Sequence, residues 1–151
     1  NSQPGKLPDQ VRYFIDTNVI LYASGSEHPL KQPCVLLLEK MIAESLDAVI
    51  SVEVIQEILH RYSSLRRAET GVLLARKAMG IFRRLLPVEP NDMQLATDLF
   101  ESYKGISGRD AMHAAVSLNN GIYHIISTDR DFDAIKEIER VDPAEFARIL
   151  G

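Results

Sequence analysis

Ala48-Val49-Ile50-Ser51, running straight into Val52-Glu53-Val54-Ile55-Gln56-Glu57-Ile58-Leu59, is the stretch whose reading decides the fold class. The first four residues are nearly all apolar rather than alternating, as in a strand whose sheet is covered on both faces. The residues after them put Val54, Ile55, Ile58 and Leu59, then Tyr62, on one helical stripe. A buried strand feeding an amphipathic helix is the repeating unit of a parallel sheet sandwiched by helices.

The same alternation continues in both directions. Aromatic and β-branched runs predict strands over 12–15, 48–51, 86–88, 124–127 and 139–141. Helical patterns fill 17–24, 33–46, 53–62, 68–84, 92–103, 109–119 and 143–150. Asn91 or Asp92 suits the cap of the helix from Met93, Gly105 follows that helix, and Asn120-Gly121 closes the next. Pro33 fits a first helical turn. The expected class is α/β.

With 151 residues, 46% apolar and 25% charged, the chain matches one ordinary globular domain. Residues 1–11, with Pro4, Gly5 and Pro8, are expected to be a flexible extension ahead of a domain over 12–151. They lack the apolar run of a secretory signal. No stretch approaches the ~18–20 apolar residues that cross a bilayer, so a soluble cytoplasmic protein with no membrane partner is expected. The single cysteine, Cys34, sits among Val35, Leu36 and Leu37 and reads as a small buried hydrophobe.

Net charge is −4, but its distribution is uneven. Between His60 and Arg84 stand Arg61, Arg66, Arg67, Arg76, Lys77, Arg83 and Arg84 against one acid, Glu69. The rest of the chain therefore carries the negative excess.

Four acids in that remainder fall at one predicted edge of the sheet. Asp16 closes the first strand and Asp129 the fourth, Glu57 lies in the helix after the second, and Asp110 opens the helix leading into the fourth. Ligands of open parallel sheets bind outside the carboxyl ends of the strands. At ~100° per residue, Glu57 lies on the flank of its helix's apolar stripe, whereas Glu53 points away and reaches only water. Each acid also has a structural reading: Asp16 and Asp110 suit helix caps, Asp129 a turn, Glu57 a solvated face. Four carboxylates in one pocket need protonation, separation or a cation, because two charges ~4 Å apart repel by about 4 kcal/mol at an effective dielectric near 20. All-oxygen donors suit Mg²⁺ or Mn²⁺, and such an ion activates water for phosphodiester hydrolysis.

Phe14-Ile15-Asp16-Thr17-Asn18, Val54-Ile55-Gln56-Glu57-Ile58-Leu59, Arg109-Asp110-Ala111-Met112-His113-Ala114-Ala115 and Ser127-Thr128-Asp129-Arg130-Asp131-Phe132-Asp133 together resemble the motifs of PIN-domain ribonucleases. The closest subgroup is the VapC-like toxins of toxin–antitoxin pairs. The resemblance runs in order over nearly the whole chain. It implies a three-layer α/β/α domain with sheet order 3-2-1-4-5 and Mg²⁺- or Mn²⁺-dependent endoribonuclease activity. The family's acidic quartet maps onto Asp16, Glu57, Asp110 and Asp129. Asp16, Asp110 and Asp129 are then the metal ligands, with Glu57 and Asp131 as further candidates. Asn18 and Thr128 match positions that support the ligands, a role that suits a neutral amide or hydroxyl. A cognate antitoxin whose C-terminal segment covers the pocket is implied, as is a homodimer.

His113 reads as a packing residue or a contact to a ligand, since no second His or Cys stands at metal-ligand spacing. On one helix over 68–84, Arg76, Lys77, Arg83 and Arg84 share an arc opposite Leu74, Ala78, Phe82 and Leu85. They form either a solvated face or a track for RNA phosphates, which Arg61, Arg66 and Arg67 extend. Three other functions compete with the toxin: an RNA-processing nuclease of the same fold, a non-catalytic RNA- or protein-binding module, and a Mg²⁺-dependent phosphotransfer domain. The last lacks the paired aspartates Asp-x-Asp and a lysine ending a late strand.

Overall fold

The computed structural model describes residues 11–82 and 84–150. Strands β1 (Tyr13–Ile15), β2 (Ala48–Ser51), β3 (Leu85–Leu86), β4 (His124–Ile126) and β5 (Glu139–Val141) form one parallel sheet in the order β3-β2-β1-β4-β5. The mixed α/β architecture and this strand order are the expected ones. Phe14 of β1 stands opposite Val49 on one side and Ile125 on the other. Phe14, Ile15, Ile50, Ile125 and Ile126 are wholly buried, so the strands carry no alternating pattern.

The helices are α1 (Thr17–Ser24), α2 (Lys31–Glu44), α3 (Val52–Ser64), α4 (Ala68–Ile81), α5 (Pro90–Ser102), α6 (Gly108–Asn119) and α7 (Pro143–Leu150). Helices α1, α2 and α7 pack together, α5 packs on α6, and α3 pairs with α4. The chain leaves β1 toward β2 and β3, then crosses back to β4 on the opposite side of β1. Right-handed crossovers put these two sets of connections on opposite faces of the sheet. The β1–β4 junction is thus the topological switch point, where a crevice opens outside the strand ends.

Several boundaries differ from expectation for identifiable reasons. Helix α4 stops at Ile81, short of residue 84, because Phe82 turns extended and buries its ring. The chain must then straighten so that Leu85 meets Ile50. Strand β3 ends before Pro87, which has no N–H for a ladder. Helix α5 is capped by Glu89 rather than by Asn91 or Asp92: Pro90 is its first residue, and Asp92 Oδ2 accepts the Glu89 N–H at 2.8 Å. Gly105 and Gly121 hold positive φ after their helices, as their turns require. Val11 packs half-buried against the core, while residues 1–10 of the expected extension lie outside the described residues. Cys34 is fully buried and its thiol is pushed up to about 12 by that burial, which keeps it unreactive. No helix among the described residues is long and apolar enough to cross a membrane.

Helices α3 and α4 meet at Gly71, where an added Cβ would lie 2.7 Å from the Tyr62 Cβ. Helix propensity alone favours Gly71→Ala by about 1 kcal/mol. The contact reverses that sign, and the substitution is expected to cost about 1–3 kcal/mol of overpacking. Urea denaturation checks this; an unchanged or raised midpoint would contradict it.

Candidate active site

Asp16 sits between β1 and α1 at the N-cap position, yet its side chain caps nothing. Its Oδ2 instead accepts the Ser127 hydroxyl at 2.6 Å. Ser127, wholly buried just past β4, also accepts the Asp129 N–H at 2.9 Å. One hydroxyl therefore ties the acid after β1 to the acid after β4, across the switch point. From β5, the Arg140 guanidinium holds the Ser127 carbonyl and the Asp133 carboxylate, each at 2.9 Å.

Asp129 caps the 3₁₀ segment Arg130–Ala134, its Oδ1 accepting the Asp131 N–H at 2.9 Å. This is the expected turn geometry, and it also aims Asp131 back at the cleft. Asp110 lies in the first turn of α6, its N–H bonded to Ser107, the N-cap. Carboxylate oxygens of Asp110, Asp129 and Asp131 lie within 4.8 Å of one another. Asp110 is buried, and that burial, with the charges of Asp129 and Asp16, pushes its carboxyl up to about 7. Burial likewise raises Asp16, against the opposing pull of His113 and Ser127.

Glu57 turns inward from α3 and is buried. Its Oε1 accepts the Thr17 hydroxyl and lies 3.0 Å from His113 Nε2. Burial works against the Glu57 carboxylate, but its bonds to His113 and Thr17 and the nearby Arg109 bring it below the ordinary carboxylate range. His113 behaves reciprocally. Burial disfavours its charged form, and Glu57 and Asp16 outweigh that and raise it. The imidazole also lies 3.8 Å from Asp16 Oδ1, so it stands between two of the acids. Glu57 Oε2 has no hydrogen-bond partner among the described residues; the Arg109 Nε is 3.8 Å away.

All five carboxylates line one cleft of about 520 Å³, with His60, Arg61 and Arg109 also on its wall. Asn18 lines it too, its amide 3.4 Å from the Ser127 hydroxyl. Thr128 is different. The hydroxyl that reaches Asp16 belongs to Ser127, and Thr128 is half-buried outside the cleft wall. Glu53 is half-buried rather than purely solvated, its carboxyl raised by burial and by Glu57. The basic stripe does not converge on the cleft. Arg76 and Lys77 are exposed on α4, and Arg83 lies outside the described residues. Arg84 follows the helix and lines a hollow with Asp47 and Ala48, at the opposite edge of the sheet. Thr17, Ser127 and the central placing of His113 were not singled out from sequence. The available signals were a hydroxyl beside each strand-end aspartate and a His one turn after Asp110.

The PIN domain family model matches residues 13–138. Ribonuclease VapC13 of Mycobacterium tuberculosis is 35% identical over 128 residues, which is 85% of this chain and 98% of the relative. The VapBC2 structure from Rickettsia felis, bound to a promoter DNA fragment, superposes with a TM-score of 0.68 at 19% identity, over 87% of this chain and 100% of that one. A toxin–antitoxin complex from Klebsiella pneumoniae gives 0.61 at 18%, over 87% and 97%.

The pKa directions fix a sign for stability. A carboxyl raised to about 7, as Asp110 is, binds a proton in the folded state that the unfolded chain has released. Stability from this group therefore falls as pH rises from about 4 through 7. Asp16 and His113 act in the same direction; Glu57, being lowered, loses its contribution only in acid. Asp110→Asn is expected to stabilise the metal-free protein at pH 8 by about 1–2 kcal/mol after solvent screening. That is a rise of roughly 2–8 °C in Tm, shrinking at pH 5. Melting curves in EDTA at the two pH values test this, and a lower Tm at pH 8 would contradict it. By sequence and by fold, the chain belongs to the PIN domain family.

Proposed function

We propose that this protein is a Mg²⁺- or Mn²⁺-dependent endoribonuclease and the toxin of a toxin–antitoxin pair. The observation that carries the reading is the convergence of Asp110, Asp129 and Asp131 on one point, with Asp16 and Glu57 in the same cleft. The residues suit a divalent ion. The donors are all oxygens, burial together with the charges of Asp129 and Asp16 pushes Asp110 up to about 7, and Glu57 keeps a buried acceptor without a partner among the described residues. Asp110 and Asp129, with Asp131 and Asp16 beside them, would hold it. Bound there, the ion supplies Lewis acidity toward the phosphate and toward a water.

The remaining steps belong to the chain's own groups. Arg109 and Arg61 stand on the cleft wall, where their guanidinium groups bind phosphate oxygens. Thr17 and His113 fix Glu57 through Oε1 and leave Oε2 to accept the proton of the attacking water. The water oxygen bonds to phosphorus, the bond from phosphorus to the ribose oxygen breaks, and that oxygen takes up a proton from solvent water. Ser127 keeps Asp16 and Asp129 in register throughout.

The ribonuclease name of the 35%-identical relative and the toxin–antitoxin assembly of the structural neighbour support the toxin reading over an RNA-processing nuclease. A partner antitoxin acting in the cytoplasm would cover the acidic cleft, an arginine replacing the cation among the carboxylates. We further infer a homodimer.

Purified protein is expected to cut RNA with Mg²⁺ or Mn²⁺ and not in EDTA. Loss of a supporting residue costs 10–100-fold at metal sites, so Asp16→Asn and Asp129→Asn are expected to lose at least about 100-fold in rate. Cleavage in EDTA, or folded variants as fast as the parent, would overturn the reading. RNA binding without cleavage would leave the non-catalytic module.

A further inference from the structure

A second cleft, of about 330 Å³, opens beside the acidic one, and the two share Asn18, Leu21 and Arg61 as a common wall. Its far side is aromatic and basic. The Tyr22 and His28 rings lie 4.8 Å apart between centroids, tilted by 39°. The Arg67 guanidinium sits 5.8 Å from the centroid of the Tyr62 ring. The acid on this wall, Glu27, has Lys31 at 4.0 Å.

The loop that presents His28 is held in place. The Lys31 ammonium donates to the Gly25 carbonyl at 2.8 Å, and the Lys31 N–H donates to the His28 carbonyl at 2.9 Å. His28 Nδ1 accepts the Leu30 N–H at 3.1 Å, which ties the ring to its own loop. Tyr22, at the end of α1, is half-buried against the core. The Tyr22 ring is thus held by the core and the His28 ring by one bond to its own loop, and such preorganisation lowers the entropic cost of binding.

An ordered aromatic pair beside two guanidinium groups, contiguous with a phosphate-cleaving cleft, is the chemistry of single-stranded nucleic acid binding. Cationic groups track the backbone and flat rings stack the bases. We propose that the second cleft is a nucleobase subsite for the RNA being cut. A base flanking the scissile phosphate leaves the acidic cleft past Leu21, stacks on Tyr22 and His28, and has its phosphate held by Arg61 and Arg67. Because a paired base stays inside its helix, the subsite selects unpaired RNA. This rests on the ribonuclease reading for its position relative to the cut, but binding is measurable without cleavage.

The test uses the non-cleaving Asp16→Asn protein, without metal, and a labelled single-stranded RNA dodecamer carrying 2-aminopurine. In that background, Tyr22→Leu with His28→Ala is expected to weaken binding about 5- to 100-fold, the range set by stacking of one base, and to abolish the quenching of 2-aminopurine on binding. Tyr123→Leu, an exposed aromatic before β4, is the control and leaves both unchanged. An RNA duplex of the same sequence should bind at least tenfold more weakly than the single strand. If the double variant melts like its parent and binds within twofold of it, the subsite is overturned. If Tyr22→Leu unfolds, His28→Ala alone must still weaken binding at least threefold, or the proposal fails. Binding lost in the variant while the unmodified protein cuts no RNA would uphold the subsite and overturn the nuclease. No RNA binding by the parent overturns both.

Discussion

Five carboxylates opening into one cleft repel one another, and the architecture of that edge answers the repulsion group by group. At ~4 Å and an effective dielectric near 20, each close pair costs about 4 kcal/mol if both members ionise. Glu57 is compensated by His113 and Thr17, and Asp16 by the Ser127 hydroxyl with His113 nearby. Asp110, Asp129 and Asp131 have no comparable partner among the described residues, and there burial with the charges of Asp129 and Asp16 pushes the Asp110 carboxyl up to about 7. The cleft therefore divides into a neutralised half, built on α1, α3 and α6, and an uncompensated half. The uncompensated half is where a divalent ion would complete the site.

This division explains why the fold places its polar residues as it does. Nine polar or charged residues are buried among the described ones, and six of them, Asp16, Thr17, Glu57, Asp110, His113 and Ser127, belong to this edge. Buried polar groups without partners are costly, so a core otherwise made of Ile, Val, Phe and Ala tolerates them where they satisfy one another. Ser127 carries the largest share of that coupling. Its hydroxyl serves Asp16 and Asp129, and its carbonyl is pinned by Arg140.

Much of this was legible in the sequence, for physical reasons that also mark where legibility stopped. The unbroken apolar strands announced a covered parallel sheet, and strand-end aspartates announced the edge where the acids gather, because both follow from local chain direction. The order of the strands came from family resemblance, since periodicity does not say which strands are neighbours. Thr128 came from its match to a family position, whereas the register of β4 against β1 brings the Ser127 hydroxyl to Asp16. The basic segment differs from expectation in its helix boundary. An unbroken helix over 68–84 would have put its arginines on one face. Termination at Ile81 sends Arg84 to the far edge of the sheet, while Arg61 of α3 lines the acidic cleft and Arg67, from the turn after α3, lines the cleft beside it.

The central claim is that the uncompensated half of the cleft binds a divalent ion. Titration of Mn²⁺ into the metal-free protein at pH 8, followed by the loss of free-ion EPR signal, measures this without any RNA. The account predicts saturable binding in the unmodified protein that weakens as pH falls below about 7, when Asp110 takes up its proton, and that is lost in Asp129→Asn. Saturable binding of equal strength in a folded Asp129→Asn protein, or no binding in the parent, would contradict it.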